Sequence, residues 1–168
     1  MNTTVSRAIR KILCYYLLFS VFFCIQTVFA KDIAVFSIAP YFMPCMIVCI
    51  ACLDAPAVAI SFALVSGVVS DAFAARSTSY YTIAFLVLVA LLTILIKDIF
   101  RRSFFSSVAL SFGATFLVSL MNYVIFYGIF SLAGIETIFT VVLPEAFYST
   151  LFIVLIYPLV AWIERVTR

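Results

Sequence analysis

Long apolar runs, broken by short polar punctuation, dominate the chain. Ile12 to Ala30 carries no charge, and Arg7, Arg10 and Lys11 precede it. Lys31 and Asp32 close that run. A semi-polar stretch to Ala39 follows, then Pro40 and Pro44. Proline fits the first turn of a helix, where its missing donor costs nothing, so a second apolar segment is predicted over 40–53. Asp54-Ala55-Pro56 reads as a tight turn. A third segment covers 57–74, a polar loop follows at Arg76-Ser77-Thr78-Ser79, and a fourth covers 80–96. Lys97, Asp98, Arg101 and Arg102 form the densest charge cluster. A fifth segment runs 104–130, Gly134, Glu136 and Thr137 mark a loop, and a sixth runs 144–163 before Arg165 and Arg168. Runs of this length without strict alternation predict helices rather than strands of a barrel.

Composition turns these helices into membrane spans. Of 168 residues, 67% are hydrophobic and 10% charged. A soluble domain carries about 45–50% apolar and about 25% charged residues. It could not hide this much apolar surface. A spanning helix needs about 20 residues, so six of them would use most of the chain and leave no room for a soluble domain. The expectation is a single all-α transmembrane domain over 1–168. The first run, with its basic start, also resembles a signal peptide. Its length and the absence of a small-x-small site at Val28-Phe29-Ala30 favour a retained helix.

Charge predicts orientation. With the N-terminus in the cytoplasm and six crossings, Arg7, Arg10, Lys11, Lys97, Arg101, Arg102, Arg165 and Arg168 fall inside, and Lys31 and Arg76 fall outside, eight against two. This is the positive-inside bias, and it puts both termini in the cytoplasm. The Lys97, Arg101 and Arg102 cluster is placed to touch anionic lipid headgroups. The net charge of +3, divided among short loops, does not suggest nucleic acid.

The candidate residues are the polar and small ones within the spans. Ala59, Ala63, Gly67 and Asp71 follow one another at intervals of four. Small residues at that spacing let two helix backbones approach closely, so Ala59, Ala63 and Gly67 are expected to form a packing stripe. Asp71 has three readings: an interfacial cap or an Arg76 partner with no further task, a contact that organises the outer loops or a partner protein, with Asp71 and Arg76 as the candidate partner contacts, or, less favoured, a member of a proton or ion relay. Gln26 and Asn122 are intramembrane polar groups, suited to hydrogen bonds between helices more than to substrate contact. Glu145 follows Pro144 and reads as an acid in a first helical turn, facing the positive dipole end. Cys14, Cys24, Cys45, Cys49 and Cys52 all lie in apolar runs, and small apolar packing is favoured over metal binding for Cys45, Cys49 and Cys52. The absence of histidine removes the commonest general base. No catalytic constellation, cofactor motif or metal set emerges, so an enzyme is not expected.

The order of these features resembles the MreD family of bacterial rod shape-determining membrane proteins over nearly the whole chain. The resemblance rests on the basic start and first span with Gln26, the proline-led second span at Pro40, and Ser66-Gly67-Val68-Val69-Ser70-Asp71. It rests most on Leu143-Pro144-Glu145-Ala146-Phe147-Tyr148-Ser149-Thr150-Leu151 followed by Tyr157-Pro158-Leu159. Asp54-Ala55-Pro56 stands where the family usually has glycines, and no glycine follows Asp71. The resemblance implies a non-enzymatic plasma-membrane member of the elongation machinery. Its partner would be MreC, with MreB, RodA and a class B penicillin-binding protein beyond it. It also implies a six-helix fold like the substrate-binding subunits of energy-coupling-factor transporters. That likeness supplies the alternative function, a vitamin-type binding subunit.

Overall fold

The computed structural model describes residues 2–29, 32, 34, 38–74, 80–98, 104–125 and 138–167, the side chains of 2–8, 97 and 98 excepted. The elements are α1 (Asn2–Val28), α2 (Phe42–Leu53), α3 (Pro56–Phe73), α4 (Tyr80–Asp98), α5 (Phe104–Tyr123), a π-helical turn (Ile138–Val142), α6 (Leu143–Leu151) and α7 (Ile153–Thr167). Among the described residues there is no β-strand. Three helical stretches are long and apolar enough to cross a membrane: Ile9–Val28, Pro56–Phe73 and Phe104–Tyr123. The bent pair Ile138–Leu151 and Ile153–Thr167 makes a fourth among the described residues if its two halves form one span.

The helices run between two ends of one bundle. Lys11 near the start of α1 meets Asp54 just after α2. Gln26 near the end of α1 meets Phe42 at the start of α2. Asp71 near the end of α3 meets Tyr81 at the start of α4. These contacts set α1 against α2 and α3 against α4 in opposite directions, and they define an Asp54 end and an Asp71 end.

Helix α2 is the centre. Every residue from Phe42 to Cys52 is buried, and α1, α3, α4, α5, α6 and α7 all touch it. Its 12 residues span only ~18 Å at about 1.5 Å each, well short of a hydrocarbon core of about 30 Å. Enclosure by other helices removes the need to match lipid thickness. The helix starts at Phe42, not at Pro40 as the sequence predicts. Pro44 is its third residue and sits in the first turn, where an N–H has no helical acceptor to lose.

Helix α3 shows the pattern that a lipid environment favours. Ala59, Ala63 and Gly67 are buried on one face, while Ile60, Leu64 and Val68 are exposed on the other. Bulky side chains outside and small ones inside invert the rule for soluble helices, because in lipid close backbone approach replaces hydrophobic burial as the reason for association. The closest partner is α4. A Cβ built on Gly67 would stand 2.5 Å from Thr82 Cα and 2.9 Å from its N, so the two backbones are in direct contact there. Exposed Leu13, Leu17 and Val21 on α1 and Ile83, Val87 and Leu91 on α4 extend the apolar exterior.

The last helical stretch differs from the single helix expected over 144–163. Helical backbone begins with the π-turn at Ile138, and the path bends by 45° between Leu151 and Ile153. Ser149 and Thr150 hydroxyls donate to the carbonyls of Glu145 and Ala146, at 2.7 Å and 2.6 Å. Such back-bonding bends helices, and Pro158 withholds a donor one turn further on. The fifth helix is described to Tyr123, and the remainder of its predicted range, from 126, lies outside the described residues.

Candidate functional site

At the Asp71 end, side chains from one helix cap the start of another. Asp71 Oδ1 accepts the Tyr81 N–H at 2.7 Å, and Oδ2 accepts the Thr82 N–H at 2.9 Å and the Thr82 hydroxyl at 2.6 Å. Helix α4 begins at Tyr80, so these N–H groups belong to its first turn and have no intrahelical acceptor. A carboxylate borrowed from α3 does the work of an N-cap and faces the positive end of the α4 dipole. It lies one turn after Gly67 on the same face. The glycine brings the backbones together, and the aspartate ties them. Arg76 lies outside the described residues.

Helix α2 is capped in the same way by two neighbours. Gln26 Oε1 accepts the Phe42 N–H at 3.1 Å, and Ser149 Oγ accepts the Tyr41 N–H at 2.7 Å. Gln26 is thus a hydrogen-bonding link between helices. The Tyr80 hydroxyl donates to the Val118 carbonyl at 2.8 Å and joins α4 to α5. Asn122 is half-buried in the last turn of α5.

Glu145 meets its sequence reading in part. Seven residues of helical backbone precede it, beginning at Ile138, and Val142 already has helical dihedrals. It lies in the first turn of α6, after Pro144, as the sequence predicts, but that turn continues helical backbone from Ile138, so the dipole end it faces is not a free N-terminus. Its carboxylate faces Ser119 of α5. The buried hydroxyls of Ser119 and Tyr41 make no hydrogen bond of ordinary geometry. Tyr41 and Tyr80 lie within electrostatic range of Glu145, and the Tyr81 ring packs against both, with centroids 6.1 Å from Tyr41 and 5.0 Å from Tyr80.

The Asp54 end holds a charged constellation that the sequence reading missed. Lys11 Nζ is 2.7 Å from Asp54 Oδ2, and the Tyr15 hydroxyl donates to the same oxygen at 3.1 Å. The other oxygen, Oδ1, accepts the Ala55 N–H at 2.7 Å. Lys11, counted from the sequence only among the cytoplasmic charges, is mostly covered, with 19% of its side chain accessible. The only sequence signal was that Lys11 and Tyr15 share a helix face; nothing local pointed to Asp54, 43 positions on from Lys11.

A second missed feature was legible. Ser107, Ser111, Thr115 and Ser119 recur every four residues on α5, and all are buried. Thr115 Oγ1 donates to the Ser111 carbonyl at 2.8 Å and lies 3.6 Å from Cys45 Sγ. Cys45 Sγ also approaches the Ser149 carbonyl at 3.5 Å. This stripe faces α2 and α6 as the alanine-glycine stripe faces α4. Cys45, Cys49 and Cys52 are buried thiols that form no disulfide among the described residues. Of the basic cluster, Arg101 and Arg102 lie outside the described residues, as does the side chain of Lys97.

Chemically, most of these groups join helices: Asp54 has a lysine and Asp71 has backbone and hydroxyl donors, whereas Glu145 has neither a cation nor a backbone donor against it among the described residues. No family model, curated protein or solved structure matches the chain.

Proposed function

We propose that this chain is a non-enzymatic scaffold of the bacterial plasma membrane, acting in cell elongation as the MreD proteins its motifs resemble do. In this reading it crosses the membrane six times with both termini in the cytoplasm. The eight-to-two charge asymmetry and the opposed helix directions support that topology. It binds MreC and helps couple MreB filaments to RodA and a class B penicillin-binding protein, so maintaining rod shape.

The observation that carries the reading is the use made of interior polar groups. Asp71 is engaged with α4, Gln26 and Ser149 with α2, and Lys11 with Asp54. The bundle is thereby tied at both ends into one body whose exterior helix faces are apolar. Such a body recognises partners helix against helix within the membrane, with Asp71 setting the rim indirectly by fixing α3 to α4. Purification from detergent with the neighbouring membrane proteins present tests this: MreC co-purifies, and capture of ATPase subunits instead overturns it.

One observation favours a second reading, a vitamin-type binding subunit of an energy-coupling-factor transporter: the polar groups around Glu145 are not all engaged by other helices. Solute uptake that depends on this chain, with cell shape unchanged by its deletion, would select that reading.

A further inference from the structure

An acid inside an apolar bundle is expensive. A charged carboxylate at a helix centre costs about 2.5–3.5 kcal/mol on insertion scales, and such residues are held where a partner or a pathway needs them. Asp54 has its lysine and Asp71 has three donors. Glu145 has neither a cation among the described residues nor a free helix N-terminus beneath it. Its surroundings are already polar. Ser149, one turn on, binds the backbone N–H of Tyr41, which brings the Tyr41 backbone against α6, while its ring packs toward Tyr81 and Phe85 of α4. Tyr80 is fixed to Val118, the residue before Ser119. Tyr41 lies within electrostatic range of both Glu145 and Asp71. The Tyr41 hydroxyl is buried without a partner, and that of Ser119, at 5% exposure, meets only the Glu145 carboxylate and makes no hydrogen bond of ordinary geometry; buried polar groups ordinarily have a partner.

We propose that Glu145, Ser119 and Tyr41, walled by the Tyr80 and Tyr81 rings, form a binding site for a single N–H cation, an ammonium or guanidinium group entering at the Asp71 end. The carboxylate supplies the charge, and a charge-assisted hydrogen bond is about twice as strong as a neutral one. The two hydroxyls accept further N–H donors. The ring faces add cation–π attraction, which acts within about 6 Å of a ring centroid. The group arrives either on a free amine or as the Lys or Arg side chain of a partner protein. The site stands on this geometry alone and holds for either reading of function.

The test uses the full chain in lipid nanodiscs. Butylammonium and butylguanidinium chloride are titrated at constant ionic strength, with tyrosine fluorescence and melting temperature as readouts. In a second arm, a photo-crosslinking amino acid replaces Tyr148 in native membranes. A saturable response in the first arm, weakened at least tenfold by Glu145→Gln, identifies a free amine. A crosslink to a Lys- or Arg-bearing segment, lost in Glu145→Gln, identifies a partner side chain. Tyr41→Phe, which removes one hydroxyl, weakens either response several-fold and guards against misfolding of the first variant. Responses independent of Glu145 in both arms overturn the proposal. So does an equal response to sodium chloride, or tighter probe binding in Arg76→Gln or Lys31→Gln, which would make the cation the chain's own.

Discussion

Asp54 and Asp71 stand at opposite ends of the bundle and solve the same problem with different partners. Asp54 is neutralised by a lysine, helped by a tyrosine and the Ala55 N–H. Asp71 meets no cation among the described residues and is held by two backbone N–H groups and a hydroxyl from one helix start. The first arrangement depends on a single distant side chain. The second depends on backbone donors that exist wherever a helix begins. An ionic partner can be deleted by one substitution, whereas a helix start persists as long as the two backbones stay close. Asp54 is therefore the more fragile of the two to loss of its partner, and Asp71 the more sensitive to the spacing of α3 and α4.

The largest expected effect follows from removing the lysine. Lys11→Met leaves a buried carboxylate without its cation, which costs about 3–5 kcal/mol. Thermal unfolding in detergent should show a large loss, and adding Asp54→Asn should restore part of it. Additive losses in the double variant would mean that the pair is not coupled. Next comes the spacing. Gly67→Leu cannot fit against the Thr82 backbone and should destabilise by at least the about 1–3 kcal/mol typical of overpacking. Gly113→Leu is the control, since a Cβ there meets nothing within 4 Å. Equal behaviour of the two variants would deny the close approach of α3 and α4.

Asp71→Asn is milder. The amide keeps one acceptor oxygen and loses the charge, so the cost is that of a weakened cap, about 0.5–2 kcal/mol. Faster hydrogen exchange confined to the Tyr81 and Thr82 amides would mark loss of the cap, and unchanged exchange would remove Asp71 from that role. The smallest change is expected for Gln26→Leu. One interhelical hydrogen bond in a membrane bundle averages about 0.6 kcal/mol, so melting should shift only slightly. A loss as large as that of Lys11→Met would show that the start of α2 depends on this cap far more than one bond explains.

The two aspartates also differ in how readable they were. Asp71 stands at the end of a four-residue ladder, Ala59, Ala63, Gly67, and that spacing alone pointed to a helix-facing position. Asp54 stands in a turn of ordinary polar chemistry, and its lysine was fully explained by the topology count. The hydroxyl ladder from Ser107 to Ser119 is as regular as the alanine ladder, but a hydroxyl can turn back to a carbonyl of its own helix, as Thr115 does to Ser111, so its spacing alone does not imply a neighbouring helix.

The sequence by itself determined the helical class and the apolar segments, because composition and run length act locally and leave few alternatives. It determined the small face of α3 as well, since spacing along one helix is a property of that helix alone. Only the tertiary structure decided which groups complete one another. The caps on α2 and α4, the Lys11 and Asp54 pair, and the isolation of Glu145 join residues on different helices, and no periodicity within one segment encodes its neighbour. The bend after Leu151 and the helical start at Ile138 belong here too. The helical start carries backbone into the first turn at Glu145, so the dipole end that gave its charge a local reason is not free and the surroundings must supply one.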